Sequence, residues 1–409
     1  MGTNAQVRWG CVGLGGYARG VCARLRSAGH EADSPLRLHA VSEPDHALHA
    51  DTIKSLRAEG IKVFEHYEDL LAEPVEAVWL PLPIDLHRSF TERALVAGKA
   101  VMCEKPAAGS VDDVDAMIAA RDRSGLPVAV GFQDIYEPTT HPMKRRLLEG
   151  LIGRIERAAL WAVWPRGELY YERATWAGRF KRRGAWVMDS PAQNALSHFI
   201  HLALFLMGPR PDESAMPTEV EAELYRANPA IENYDTISAR VGVETGAHLL
   251  VLLTHAGLDL SGPFIEFHGS AGTVRFSRDR FVIERRGRED EIVERGQSRS
   301  HLAHRFVQHI QGKSDEEIGL ATLEMARAHL VAVNGASQAA PIVSLLADAL
   351  IPTPRDGDII HAIRGIESIF ESCARDGRMI HESTLADWSR PARHLDLRGY
   401  NHFAGPAPA

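Results

Sequence analysis

Cysteine is scarce. The chain of 409 residues has four, Cys11, Cys22, Cys103 and Cys373, far apart and with no CxxC pair, which excludes a disulfide scaffold and a zinc or dithiol centre built on paired cysteines. Their apolar or helical surroundings predict buried thiols. A long hydrophobic run is also missing: the most apolar stretch, around Phe199 to Met207, is interrupted by His201 and falls short of the roughly 20 residues that span a bilayer. There is no excess of basic charge. Lys plus Arg is 46 against 54 Asp plus Glu, a net charge of −8 spread along the chain, whereas a nucleic-acid binder needs a concentrated basic face. Met1 to Gln6 is short and polar with no apolar signal core, and Gln6 stands where a myristoylation signal wants Ser or Thr. The expectation is a soluble, cytoplasmic protein. What the chain does have, 45% hydrophobic and 24% charged residues, is enough apolar material for a large core divided over two domains.

Residues 7 to 131 alternate short apolar runs with helical patterns, the signature of βαβ units and a parallel sheet. Strands are predicted at Val7–Val12, Leu36–Val41, Lys62–Phe64, Ala77–Leu80, Ala100–Cys103 and Val128–Gly131, with helices from Gly16 to Ala28 and from Leu86 to Ala97, the latter closed by Gly98. The fold class is α/β: an N-terminal Rossmann doubly wound parallel sheet over 1–134, followed by a C-terminal α+β domain over 135–409 with an open, mostly antiparallel sheet and helices on one face. In that second part a helix around Met143 to Glu149 precedes a strand at Ile155–Val163. An irregular basic and aromatic stretch, Trp164 to Trp186, leads to an apolar helix from Asn194 to Met207. Alternating segments between Glu219 and Glu284 read as strands, a long helix is expected from Leu320 to Gln338, and Gly405 to Ala409 reads as a disordered tail.

Gly13, Leu14, Gly15, Gly16, Tyr17 and Ala18 follow the first strand and open the first helix as GxGxxA. Gly13 makes the turn, Gly15 lets backbone approach a pyrophosphate, and Ala18 lets the helix pack close, leaving its N-terminus to hold an anion. Glu43 ends the second strand, where a carboxylate accepts from both ribose hydroxyls and repels a 2′-phosphate. No Arg or Lys follows immediately, so NAD is favoured over NADP. The fourth strand runs into Pro81, Leu82, Pro83, Asp85 and His87, and the fifth into Glu104, Lys105 and Pro106. Both sit at carboxyl ends of strands, where open parallel sheets bind ligands. Lys105 is placed to direct its ammonium at a hydroxyl or carbonyl oxygen near the nicotinamide.

The helix from Asn194 is apolar almost all round except for Asn194, His198 and His201, spaced i, i+4 and i+7 on one face. A buried polar stripe of this kind must be hydrogen-bonded or line a wet cavity; here it reads as a pocket wall. Before it lie Trp176, a flat surface for a sugar ring, and Arg179, a fork for hydroxyls or a carboxylate; Lys181, Arg182 and Arg183 read as solvated loop. His301, His304 and His309 lack a nearby acid at ligand spacing, so no metal site is expected.

These residues resemble the Gfo/Idh/MocA oxidoreductases, the glucose-fructose oxidoreductase and inositol dehydrogenase group. The resemblance runs through Gly13 to Glu43, Pro83 to His87, AGKAVMCEKP (Ala97 to Pro106), Gly131 to Gln133, and the helix ending Leu204 to Gly208. It implies cofactor contacts from Gly13 to Ala18, Glu43, Pro81 to Pro83, His87, Glu104, Lys105 and Gln133, and substrate contacts from Lys105, Trp176, Arg179, Asn194, His198 and His201. His198 falls on the family's catalytic histidine, a general base with an ordinary pKa of about 6.5. Asn194 replaces the usual aspartate of that helix and His201 the second acid, so Asn194 is expected to orient substrate only. Asp189 to His198 matches a DSPxxNAxxH branch signature, in which Asp189 is expected to cap the helix. The implied activity is NAD-dependent oxidation of a secondary alcohol of a sugar, cyclitol or glycoside. The alternatives are redox-assisted glycoside cleavage with NAD regenerated and a non-catalytic dinucleotide-binding sensor or regulator. The implied partners are a small carbohydrate or polyol and further copies of the chain, as homodimer or homotetramer, with neither nucleic acid nor membrane.

Overall fold

In the computed structural model the described residues are 6–31, 33–296, 301–313 and 319–408. They divide into two compact units, one of Met1–Ala108, Asp113–Glu137 and Gln297–Leu323, the other of Gly109–Asp112, Pro138–Gly296 and Glu324–Ala409.

The first unit is built on β1 (Val7–Val12), β2 (Leu36–Ser42), β3 (Lys62–Phe64), β4 (Ala77–Leu80), β5 (Ala100–Cys103) and β6 (Val128–Val130). All pair in parallel in the order β3-β2-β1-β4-β5-β6. The crossovers carry α1 (Gly16–Gly29), α2 (Ala50–Ala58), α3 (Tyr67–Ala72), α4 (Ile84–Val96) and α5 (Val111–Ser124). Helices on both faces explain why the strands read as unbroken apolar runs rather than alternating ones; every residue of β4 and β5 is buried. The strand order reverses between β1 and β4, and at such a switch the strand ends leave a crevice for a ligand. From later in the chain α9 (His301–Ile310) joins this unit, its Phe306 ring 5.6 Å from that of Trp9. All four cysteines are free thiols and buried.

The second unit begins with α6 (Thr140–Leu148) and β7 (Ile155–Val163), then α7 (Glu168–Glu172), a hairpin of β8 (Lys181–Arg182) and β9 (Ala185–Trp186), and α8 (Ser197–Met207). β10 (Pro217–Arg226), β11 (Thr236–Val243), β12 (His248–Thr254), β13 (Ser261–Gly269), β14 (Gly272–Phe276), β15 (Arg280–Arg285) and β16 (Glu291–Glu294) follow. After them come α10 (Leu323–Ala339), β17 (Ile342–Ser344), a hairpin of β18 (Leu350–Arg355) and β19 (Asp358–Ile363), α11 (Ile366–Asp376) and β20 (Arg393–Asp396). The sheet runs β16-β15-β14-β13-β7-β12-β11-β10-β17, with β20 also on β10. It is antiparallel except at β7 with β12 and β10 with β17. No helix among the described residues is long and apolar enough to cross a membrane.

Four expectations need correction. Helices cover both faces of this sheet, not one. Ala159 and Val163 of β7 share a core with Ile366, Ile369 and Phe370 of α11. Leu160, on the opposite side of the pleat, pairs across the sheet with Ile265 and so with Phe276, which meets Phe199 of α8. The helix from Asn194 is not continuous: Pro191–Ala195 form a π-helical turn, closed by Leu196 N–H on the Pro191 carbonyl at 2.9 Å, before α8 begins at Ser197. The stretch before it is ordered by the β8–β9 hairpin, whose two central residues, Arg183 and Gly184, both have positive φ (51° and 84°), the geometry of a two-residue hairpin turn. Gly405 to Pro408 are held rather than loose: the ring of buried Phe403 lies 5.0 Å from that of Trp186, and Ala407 N–H donates to the Ser337 carbonyl at 2.8 Å.

Candidate functional site

In the first unit the GxGxxA turn has the backbone that its glycines permit. Gly13 has φ of 96° and Gly16 of 50°, values L side chains rarely adopt. A Cβ on Gly13 would meet the Ala18 Cβ at 3.1 Å, so helix and turn are packed as closely as the motif requires. Gly15 is the N-cap of α1, with no side chain capping the helix, and the first amides stand as anion donors. Leu14 is buried and Tyr17 half-exposed. Glu43, buried just after β2, accepts from Leu14 N–H at 2.7 Å and from Asp45 N–H at 2.9 Å, with His49 Nε2 3.8 Å away. The carboxylate thus ties the glycine turn to the end of β2. These residues fit a dinucleotide: a tight turn of small residues, a helix N-terminus with no side-chain cap and one fixed carboxylate.

At the ends of β4 and β5 the structure separates holding residues from residues at the edge. His87 is expected from the sequence to contact cofactor, but its ring is wholly buried. Nδ1 lies 2.9 Å from the Pro106 carbonyl and Nε2 2.8 Å from that of Leu82. The neutral ring, favoured because burial lowers its pKa, donates its one N–H to one of these carbonyls and packs its other nitrogen against the second, between the Pro81–Pro83 and Glu104–Pro106 loops. Glu104 is also buried. It accepts from Trp79 Nε1 at 3.1 Å, burial raises its pKa, and Gly131 must be glycine because a Cβ would come 2.8 Å from its carboxylate. Lys105 and Gln133 are half-buried at the carboxyl edge of the sheet, Gln133 opening a short 3₁₀ turn.

In the second unit the π turn sets the geometry. Asp189 is buried, and its Oδ1 accepts from Asn194 Nδ2 at 2.7 Å while Oδ2 accepts from Gly178 N–H at 2.8 Å. The expected capping role falls instead to Ser190, whose Oγ accepts from Gln193 N–H. Since a carboxylate only accepts, the Asn194 amide must turn its nitrogen to Asp189 and its oxygen away. Ser197 Oγ donates to the Asn194 carbonyl at 2.8 Å, joining the π turn to α8. His198, at the start of α8, is half-buried. His201 is not on an accessible wall: it is fully buried, near His329 of α10, and burial holds its pKa well below the usual histidine range. Arg179 is also placed differently from expectation, its guanidinium reaching Glu232 at 2.9 Å on the surface. Trp176 is half-buried beneath the Arg173 guanidinium, 4.9 Å from its ring centre.

Sequence reasoning missed the group beside Asp189. Tyr170 and Tyr171 of α7 meet His255, with Tyr171 Oη 3.1 Å from its Nδ1, and burial, then Arg166 and Arg173, hold His255 well below its usual pKa. The interleaving of aromatic residues and arginines in WPRGELYYERATW (Trp164 to Trp176) was the available signal.

A doubly wound sheet with a glycine turn, a carboxylate after β2 and a second α+β unit defines a dinucleotide-binding oxidoreductase fold. Residues 7–132 match the model of the Gfo/Idh/MocA oxidoreductase family, NAD-binding Rossmann fold. The likeness to this family is carried by that unit. It is 27% identical over 216 residues to the D-apiose dehydrogenase of Paraburkholderia graminis, covering 51% of this chain and 53% of that one. To the inositol 2-dehydrogenase of Rhizobium meliloti it is 25% identical over 276 residues, 68% of this chain and 77% of the relative. The match therefore spans about half the length of the first relative and about three quarters of the second. In fold the chain resembles the WlbA dehydrogenase of Chromobactrium violaceum, solved with NADH and UDP-GlcNAcA, at a TM-score of 0.67 with 21% identity over 94% of this chain and 96% of that one.

Proposed function

We propose that the chain is an NAD-dependent oxidoreductase that moves a hydride between nicotinamide and a secondary alcohol of a sugar, cyclitol or glycoside. The observation that carries the reading is the buried Glu43 carboxylate on Leu14 N–H: an acid fixed at the end of β2 accepts from ribose hydroxyls and disfavours a 2′-phosphate. The relatives named for sugars and inositol support the substrate class.

When bound, the nicotinamide ring takes up or returns the hydride. The chain's own residues bind, orient and move the proton. Backbone amides at Gly15 and Gly16 hold the pyrophosphate, those of Gly13 and Leu14 being given to the Ser42 carbonyl and to Glu43. The Lys105 ammonium donates to the reacting oxygen and favours the alkoxide as it forms, while His198 accepts the hydroxyl proton. Asn194 orients substrate through its amide oxygen, since Asp189 holds the amide nitrogen. His87 and Glu104 act as positioning residues for the loops that carry Lys105.

The test is a panel of sugars, inositols and glycosides followed by NADH absorbance, with NAD and NADP affinities measured by titration. His198→Ala is expected to lower kcat by roughly 10²- to 10⁴-fold with NAD affinity unchanged. Full turnover in that variant refutes the role of His198. Product cleavage without net NADH points to the redox-assisted reaction, and NAD binding without any turnover points to the sensor.

A further inference from the structure

Within the second unit three guanidinium groups gather on aromatic faces. Arg166 and Arg173 both lie over the Tyr170 ring, 4.7 and 3.6 Å from its centre; Arg166 and Arg278 both lie over Trp164, at 5.8 and 4.7 Å. Stacking fixes a guanidinium plane and leaves its fork of N–H donors at the edge. In a chain of net charge −8, such a group runs against the overall balance and calls for compensation. The fold supplies little. Asp189 is 3.7 Å from Arg173, but its oxygens are already held by Asn194 and Gly178. Glu168 of α7 pairs with His361, and Asp235 is taken by the backbone N–H groups of Ala227 and Asn228. Arg166 Nη1 reaches the neighbouring Pro165 carbonyl and the guanidinium also meets the Tyr170 hydroxyl, while its buried Nε has no hydrogen-bond partner among the described residues. The buried Nε2 of His255, on the ring 5.8 Å from that of Tyr170, likewise has none. Two desolvated polar atoms left open around one tyrosine are costly for structure alone and call for a partner from outside the chain, which a ligand beside three arginines supplies.

We propose that the polyol substrate carries an anionic group, a carboxylate or a phosphate ester, and that Arg166, Arg173 and Arg278 hold that group beside Tyr170 and Trp164. This deepens the dehydrogenase reading and rests on it for the hydroxylated part of the ligand. Asp189 then has two tasks: it holds the Asn194 amide and, through Arg173, limits the charge of the anion pocket. The aromatic rings would take the apolar face of the sugar.

The experiment is calorimetric titration of the full-length, NAD-loaded protein with matched ligands: glucose, glucuronate and glucose 6-phosphate, then galactose and galacturonate, then myo-inositol and its 1-phosphate. The anionic member of at least one set should bind at least about tenfold more tightly than its neutral partner, with the advantage shrinking as salt is added. Uronate and phosphate arms tell which anion the pocket takes. Arg173→Gln, Arg166→Gln and the exposed Arg278→Gln should each erode the preference while NAD affinity stays put. Arg278→Gln keeps the test open if either of the other two fails to fold. Equal or weaker binding of every anionic member, no binding of any at millimolar concentration, or a preference that survives all three substitutions overturns the proposal. NADH production is scored separately. An anion that binds without turnover leaves the pocket standing and defeats the dehydrogenase reading, and a neutral sugar turned over in preference to its acid does the reverse.

Discussion

Replacing Asn194 by aspartate introduces the acid that the sequence resemblance leads one to expect there, yet here it sets two carboxylates against each other. Asn194 Nδ2 is 2.7 Å from Asp189 Oδ1 inside the second unit, and two unit charges at that distance repel by about 6 kcal/mol at an effective dielectric of 20. Keeping one of the two protonated at pH 7 costs about 4 kcal/mol, from an unperturbed pKa near 3.9. The cheaper course wins, so the pair in Asn194→Asp shares one proton and the loss of stability at pH 7 is capped at about 4 kcal/mol. The folded pair has a raised pKa, so the folded state binds more protons than the unfolded one between about pH 4 and 7. Stability therefore falls as pH rises through that window, by about 1.4 kcal/mol per unit. Thermal unfolding at pH 5, 6 and 7 reads this directly. A domain of this size loses about 2–4 °C per kcal/mol, so the deficit against wild type should be largest at pH 7 and close towards pH 5. The exchanged pair Asp189→Asn/Asn194→Asp again sets a donor against an acceptor and should recover most of the loss. A deficit that is the same at all three pH values, or a double variant no better than Asn194→Asp, refutes the orientation assigned to the Asn194 amide.

Glu43→Ser should narrow the preference for NAD over NADP and, because Leu14 N–H loses its buried acceptor, lower the melting temperature by the equivalent of about 1–3 kcal/mol; an unchanged cofactor ratio would reject the role of Glu43. Lys144 is fully buried, donates to the carbonyls of Phe205 near the end of α8 and of Glu213 in the segment after it, and is brought by burial to a pKa of about 7. Unfolding restores its ordinary value, so wild type should gain stability between about pH 7 and 10 while Lys144→Met does not, and unfolding midpoints that run parallel across that range would contradict it. Phe403→Ala should cost about 3–5 kcal/mol by emptying the space against Trp186; an unchanged melting temperature would mean that the C-terminal segment is loose.

The first unit was legible because its strands are buried on both faces and punctuated by glycine turns, so apolar runs and breaks in the sequence coincide with elements to within a residue or two. The second was legible only where strands alternate. β18 carries two prolines in LIPTPR, a pattern that argues against a strand, and survives as an exposed two-stranded hairpin. β17 and β20 are three and four residues long, at the margin of the large sheet, too short to show a period. The site residues divide in the same way. Glu43 and the glycine turn are set by neighbours in the βαβ unit, so spacing finds them. His87 and His201 have the residue type of a ligand contact, but their burial is decided by groups remote in sequence, Pro106 for one and α10 for the other. No spacing rule sees that.

The π turn joins these lines. In a regular α-helix a side chain meets those three and four positions away, and that spacing suggested the stripe of Asn194, His198 and His201. Pro191 and the Ser190 cap instead widen the turn so that Asp189 meets Asn194, five positions on. An acid is therefore present in this chain, but one turn earlier and buried, where it holds the Asn194 amide. In the proposed site Asn194 presents a neutral amide where an aspartate would present a charge and, at neutral pH, a proton acceptor. On the proposed reading, with burial holding His201 well below the usual histidine range, proton transfer falls to His198, and the pH dependence of alcohol oxidation should follow a single ionisation rather than a coupled pair.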